Sequence, residues 1–354
     1  MVPGERVDLA VAGGGVIGLA CAWRARSDGL RVRLLERGAP GGGATHAAAG
    51  ILAPDTESEP GAAAFAALGR RSLELWPEFA AELERETGHD VGFARSGTLV
   101  VALDRDEADV VAREAEQWER LGLSATRLGG SECRRLEPGL STACVGGVHV
   151  PHEAQVDPRR VAAALVAALG DDVRSGVEVV EATAGAVTLA DGSRIEAERV
   201  LLATGAWSGA PVRPVKGQVV RLRGEPPCER MIRSEHVYVV PRPSGEVVVG
   251  ATAEERGFDT TVTAGAVHEL LREAYRALPE IAELEFVEAI ASLRPGTPDN
   301  GPLLGERADG VLVATGHYRN GILLAPATAE AIVSLLAGGA LPEAAEPFAA
   351  GRFA

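Results

Sequence analysis

An α/β fold is predicted: a Rossmann-like dinucleotide-binding unit, assembled from separate stretches of chain, joined to a mainly antiparallel β-sheet unit. Three observations predict it. Gly13, Gly15 and Gly18 stand in G-x-G-x-x-G spacing directly behind the apolar run 7–12. A second apolar run, 32–35, follows an Ala-rich stretch of helical length and ends on Glu36. Further short apolar runs, within 177–202 and at 216–224, 236–242 and 246–252, do not fit a simple alternation with helices.

The opening strand, turn, helix and second strand form an arrangement that binds a dinucleotide. Gly13 permits the tight turn, Gly15 lets a pyrophosphate approach the backbone, and Gly18 lets helix and strand pack closely. The helix N-terminus offers free N–H groups and a partial positive charge to phosphates, and Glu36 can accept from ribose hydroxyls. Residues 38–54 are small, so a flat ligand can lie against them. Helices are predicted over 65–86, with an apolar face interrupted by Pro77, and over 106–122, whose charges form a solvated face. Residues 97–103 and 147–150 read as strands. Asp157 ahead of Pro158 is an N-cap followed by a first-turn proline, opening a helix through 169. Residues 177–202 read as a β-meander around the Asp191-Gly192 turn, with a buried strand at 200–203. Strands at 216–224, 236–242 and 246–252 precede a helix at 268–278. A strand at 311–314, a loop at 316–324 and a closing helix at 325–336 complete the pattern, and the tail beyond 338 is expected to be peripheral.

A chain of 354 residues can bury a large core in two units. Fifty acidic against 35 basic residues leave a formal charge of −15, which repels phosphate backbones and argues against nucleic-acid binding. Cys21, Cys133, Cys144 and Cys228 form no C-x-x-C pair, and no Cys/His cluster has zinc spacing, so no metal is expected. Their scatter fits a reducing compartment. No signal-peptide pattern precedes the first strand, and no apolar run reaches membrane-spanning length; a cytoplasmic protein without a membrane partner is expected.

Several segments carry, in one order, a family resemblance. They are VDLAVAGGGVIGLACAW at 7–23 with Glu36, ATHAAAGILAP at 44–54, VLLATGAWSG at 200–209 and PVKGQ at 214–218. HVYVVPRPSG at 236–245, VVVGATAEERGFD at 247–259, LRPGTPDNGPLLG at 293–305 and GHYRNGILLAP at 316–326 follow. The set resembles the D-amino acid oxidase-like flavoproteins and, within them, the glycine oxidases linked to thiamine biosynthesis. The resemblance implies an FAD-binding domain over 1–86, 145–215 and 291–354, and a substrate-binding domain over 87–144 and 216–290. FAD is expected to be noncovalent, because relatives that attach it do so through a cysteine in the C-terminal half and none follows Cys228 here. Its implied contacts at the nucleotide end are Gly13, Gly15, Val16, Ile17, Gly18, Glu36 and Arg37. Ala44, Thr45, Ala48, Ala49 and Gly50 would lie against the flat ring, and Val177, Thr204, Gly205 and Trp207 are further implied contacts. His317, Tyr318, Arg319, Asn320, Gly321, Ile322 and Leu323 form the second Gly-rich helix start, where N–H groups can stabilise negative charge on a reduced flavin.

The implied reaction removes a hydride from the α-carbon of a small amino acid. The imine hydrolyses to a keto acid and ammonia, and oxygen takes the electrons as hydrogen peroxide. Glycine is the expected substrate, with sarcosine and small D-amino acids as alternatives; homotetramers occur among relatives. The substrate carboxylate needs a cation in a dry pocket. Arg294 offers a planar fork for it, and the Tyr238 hydroxyl can donate to the same carboxylate. Arg319 either contacts the flavin edge or closes the pocket. His236 and His317 have weaker claims to a pocket role, and Lys216 is placed on the approach. Ile51 and Ala253 border the site, and Ala253 leaves room for D-alanine or sarcosine. A dehydrogenase using another electron acceptor, a flavin protein without turnover, and a nicotinamide enzyme are the competing readings; the second Gly-rich helix start disfavours the last.

Overall fold

A computed structural model describes residues 6–57, 63–120 and 124–353. The strand Arg6–Ala12 is apolar on both faces from Leu9 onward, where all four residues are buried. It pairs in parallel with Val32–Glu36 and with Arg194–Leu202. Leu312–Thr315 and Val173–Ser175 extend the parallel set outward, and antiparallel Leu303–Glu306 closes one edge. The predicted meander is present: Val179–Thr183 and Ala186–Leu189 form a hairpin that pairs with the first half of Arg194–Leu202.

Helices Val16–Ser27, Ala63–Thr87, Pro158–Leu169 and Gly321–Leu336 share one core with this sheet. The Asp157 carboxylate caps Pro158–Leu169 by accepting from the amides of Arg159 and Arg160. Ala63–Thr87 runs through Pro77 without a break. Burial of Trp76, Phe79 and Leu83 on either side of the proline holds it helical. The closing helix starts at Gly321, earlier than the predicted 325, and runs through Pro326. Proline cannot donate to the preceding turn, and side chains from Ala63–Thr87 rework the bonding there. The Leu323 carbonyl accepts from Ser72 Oγ at 2.6 Å and Trp76 Nε1 at 2.9 Å, while Ser72 Oγ accepts from the Ala327 amide at 3.2 Å.

The second sheet has the order Glu285–Gly296, Arg213–Arg223, Glu246–Gly250, Tyr238–Pro241, Met231–Arg233, Thr98–Ala102, Gly146–Val150, Thr126–Gly129. Its pairs are antiparallel apart from Met231–Arg233 beside Thr98–Ala102. One feature departs from the sequence reading. Gly146–Val150 pairs in this sheet and not with the dinucleotide unit. Glu285–Gly296, the strand that carries Arg294, shows no clean alternation, because much of it is half-exposed on both faces. Helix Ala264–Ala277 covers one face through Leu270, Ala274 and Ala277.

The tail beyond 338 is not peripheral: Ala345 and Phe348 are buried in the first core. The predicted helix 106–122 is observed as Arg105–Arg120; its last two positions lie outside the described residues. Among the described residues no helix is long and apolar enough to cross a membrane.

Candidate active site

The parallel strands deliver their carboxyl ends, at Ala12, Glu36, Ala203 and Thr315, to the wall of a cavity of about 720 Å³. That is where open parallel sheets bind ligands. Gly13 has φ 109°, and a Cβ there would stand 2.4 Å from the Ala203 carbonyl oxygen. A Cβ on Gly18 would lie 2.0 Å from the Gly13 oxygen, so Gly18 serves packing and is not itself on the wall. Gly14, which the sequence did not single out, donates to Glu36 Oε2 at 2.7 Å, and Gly38 donates to Oε1 at 2.8 Å. Glu36 thus ties down the glycine loop, and a carboxylate still has lone pairs for a ribose hydroxyl. The helix Val16–Ser27 has neither a side-chain cap nor an acid in its first turn. Its Val16 amide donates to Thr45 Oγ1 at 3.0 Å. The Arg37 guanidinium lies 4.2 Å from the centroid of Trp207, and both line the cavity beside Ile17, Val177, Thr204 and Gly205.

Ala44, Thr45, Ala48, Ala49 and Gly50 form the middle of the wall. Among the described residues the buried amides of Ala49 and Gly50 have no protein acceptor. Buried donors left open at a cavity wall fit a ligand with acceptor atoms. His317, Tyr318, Arg319, Asn320, Gly321 and Ile322 also line the cavity. Leu323 does not: it is fully buried, with its carbonyl turned toward Ser72 and Trp76. Burial pushes His317 down to about 3, and its Nε2 pairs with Thr328 Oγ1 at 2.9 Å. Its ring is neutral at any ordinary pH, so it offers a hydrogen bond and no charge.

At the far end, Arg294 stands on Glu285–Gly296 opposite Val215, and its Nη1 donates to the Thr252 carbonyl at 2.8 Å. A Cβ on Gly217 would lie 2.3 Å from this guanidinium, and one on Gly250 would lie 2.4 Å from Tyr238 Oη. These two glycines leave the space that Arg294 and Tyr238 fill. Burial lowers the Arg294 pKa from its ordinary value and raises that of Tyr238, with each group partly offsetting the shift of the other. Arg294 remains a cation and Tyr238 a neutral donor. Arg319, 42% exposed, sits at the rim in an ion pair with Glu57 at 2.8 Å. Glu57 also approaches Arg233 at 3.9 Å and lines the cavity; no local pattern in the sequence marks it.

Ile51 is on the wall, but three other expected residues are not. Lys216 is 1% exposed and paired with Asp259 at 2.7 Å, because strand alternation turns it away from the face that carries Gly217. His236 is exposed beside Glu107 and Glu235. Ala253 is exposed and off the wall, so it does not enlarge the pocket.

Next to Glu57, the fully buried Glu153 accepts from the Thr56 amide at 2.9 Å and from its hydroxyl at 2.8 Å. Burial pushes its carboxyl up to about 7. The folded protein therefore holds a proton that the unfolded chain releases between about pH 4.5 and 7. This stabilisation is full below that window and is lost as pH rises through it. Glu153→Gln is expected to gain stability relative to wild type between pH 5 and pH 8, read by thermal unfolding. A difference in Tm that does not change with pH contradicts the assignment.

The cavity thus joins helix N-termini without acidic residues in their first turns, suited to phosphates and to negative charge on a ring, to a cationic group suited to a carboxylate. The residues present fit FAD with an amino acid beside it. The FAD dependent oxidoreductase family model matches residues 8–335. A glycine oxidase of Geobacillus kaustophilus (strain HTA426) is 35% identical over 352 residues, covering 94% of this chain and 93% of that protein. A bifunctional protein ThiO/ThiG of Trichormus variabilis is 37% identical over 346 residues, covering 93% of this chain and 52% of that longer protein. The crystal structure of glycine oxidase from Geobacillus kaustophilus superposes with a TM-score of 0.92 at 33% identity, covering 98% of this chain and 99% of that one.

Proposed function

The chain belongs to the FAD dependent oxidoreductase family, and from that premise we propose that it is an FAD-dependent glycine oxidase. The observation that carries the substrate class is the pairing of a half-buried guanidinium and a half-buried phenol, Arg294 and Tyr238, on the cavity wall. Arg294 receives the substrate carboxylate through its fork, and Tyr238 donates to the same group. Glu57 holds Arg319 at the rim, where the pair narrows the entrance. Held there, the substrate would present its α-carbon to the flavin ring that residues 44–50 support. Bound FAD supplies the redox chemistry, accepting a hydride and passing two electrons to oxygen. The balanced reaction is glycine, water and oxygen to glyoxylate, ammonia and hydrogen peroxide.

Gly13, Gly15, Val16, Ile17, Glu36, Arg37 and Val177 are assigned to the nucleotide half of FAD. Residues 44–50 and 317–322 are assigned to its ring. The division into an FAD-binding and a substrate-binding domain, the link to thiamine biosynthesis, and homotetramer assembly belong to the same reading and rest on the family resemblance. Cytoplasmic placement draws support from four buried cysteines that are all free thiols.

Steady-state peroxide formation with glycine, sarcosine and D-alanine tests the reading. Glycine is expected to give the highest kcat/KM; turnover with a dye but without peroxide would make the protein a dehydrogenase. None of the four cysteines lines the cavity, so acid precipitation is expected to leave the flavin in the supernatant. A yellow pellet contradicts noncovalent binding.

A further inference from the structure

Behind the Ala48–Gly50 wall stand buried arginines that the proposed reaction does not use. Arg221 is 0% and Arg242 4% exposed. Arg221 Nη2 donates to the carbonyls of His46 at 3.2 Å and Ala48 at 3.1 Å. Arg242 Nη2 donates to the Ala49 carbonyl at 2.5 Å, and its Nη1 donates to that of Val156 at 2.9 Å. In a planar trans peptide, C=O and N–H point in opposite directions. With the Ala48 and Ala49 carbonyls drawn back to the arginines, the amides of Ala49 and Gly50 point the other way, and both residues line the cavity. A cationic donor on a carbonyl also polarises the peptide unit and strengthens its N–H as a donor. Glu246 is the shared counter-ion, 2.5 Å from Arg221 and 3.3 Å from Arg242; Glu288 lies 3.9 Å from Arg221. Two buried guanidiniums are a costly way to fix a loop that neutral donors could fix. Their charge therefore calls for a role beyond tethering.

We propose that Arg221 and Arg242 are positioning residues for the flavin ring, aiming and polarising the Ala49 and Gly50 amides so that they bind the ring and favour negative charge on it when reduced. The inference rests on the FAD reading above. Its test compares wild type with Arg221→Met, Arg242→Met, the two Arg→Lys variants and Glu246→Gln. Three quantities are measured: FAD affinity of the apoprotein, flavin midpoint potential, and apoprotein Tm. The Met variants are expected to bind FAD about tenfold more weakly and to have a lower potential. The Lys variants should fall between Met and wild type. Glu246→Gln removes opposing negative charge and should raise the potential. A scaffold role alone would move Tm and leave the potentials unchanged, or shift the Met and Glu246→Gln potentials in one direction; either result overturns the proposal. If the Met variants do not fold, the Lys and Glu246→Gln potentials decide it by the same signs. Failure of the FAD reading is distinct: wild-type apoprotein would then not bind FAD at all.

Discussion

Arg294→Ala is expected to lower kcat/KM for glycine by roughly two to four orders of magnitude while leaving FAD content unchanged. Removing the partner of a desolvated carboxylate costs about 3–5 kcal/mol, which converts to a loss of that size. The side chain is held by strand pairing on Glu285–Gly296 and by one bond to the Thr252 carbonyl, so most of its fork stays free for the substrate. Arg294→Lys keeps a charge but loses the two parallel N–H donors, and should fall between wild type and Ala. Steady-state kinetics checks this. A variant with unchanged KM and kcat/KM removes Arg294 from the carboxylate site.

Gly217→Ala is the second large effect, and it separates activity from stability. The new Cβ meets the end of the Arg294 side chain at 2.3 Å and no backbone atom among its nearest neighbours. Arg294 can swing away at small cost to the fold, but its guanidinium then leaves the position the carboxylate requires. A displacement of about 1 Å from productive geometry costs on the order of a hundredfold in rate. Glycine turnover should fall by that order, with Tm and FAD binding close to wild type. Gly250→Ala acts likewise on Tyr238, whose ring is less able to move aside, so some stability should be lost as well. Full activity in Gly217→Ala would show that Arg294 need not occupy its observed place.

The contrast between the two ends of the cavity shows what local sequence can disclose. Gly13, Gly18 and Glu36 were legible because their roles follow from spacing within one β-α-β unit, and the turn, the packing and the position of the acid are all present. At the other end, Arg294 and Tyr238 were picked out through segments shared with a family, and no periodicity marked the strand that carries Arg294. Gly217 and Gly250 were invisible because their purpose is to leave room for a residue on a neighbouring strand. Arg221 and Arg242 carry no local mark in the sequence; only the fold brings them beneath residues 46–49, far away in sequence. Lys216 and Ala253 were misplaced for a related reason: a segment can border a site while half of its side chains face away. Leu323 shows the same limit inside a helix, where its neighbour Ile322 reaches the wall and it does not.

The most direct test of the account is anaerobic mixing of glycine with the FAD-loaded protein, following flavin absorbance near ~450 nm. Wild type is predicted to bleach, and to recover its colour with peroxide formation when air is admitted. Arg294→Ala is predicted to bleach only at far higher glycine concentrations. Bleaching of Arg294→Ala at the wild-type rate and concentration dependence, or a wild-type flavin that glycine leaves oxidised, would contradict the central claim that this cavity presents a carboxylate site for glycine oxidation.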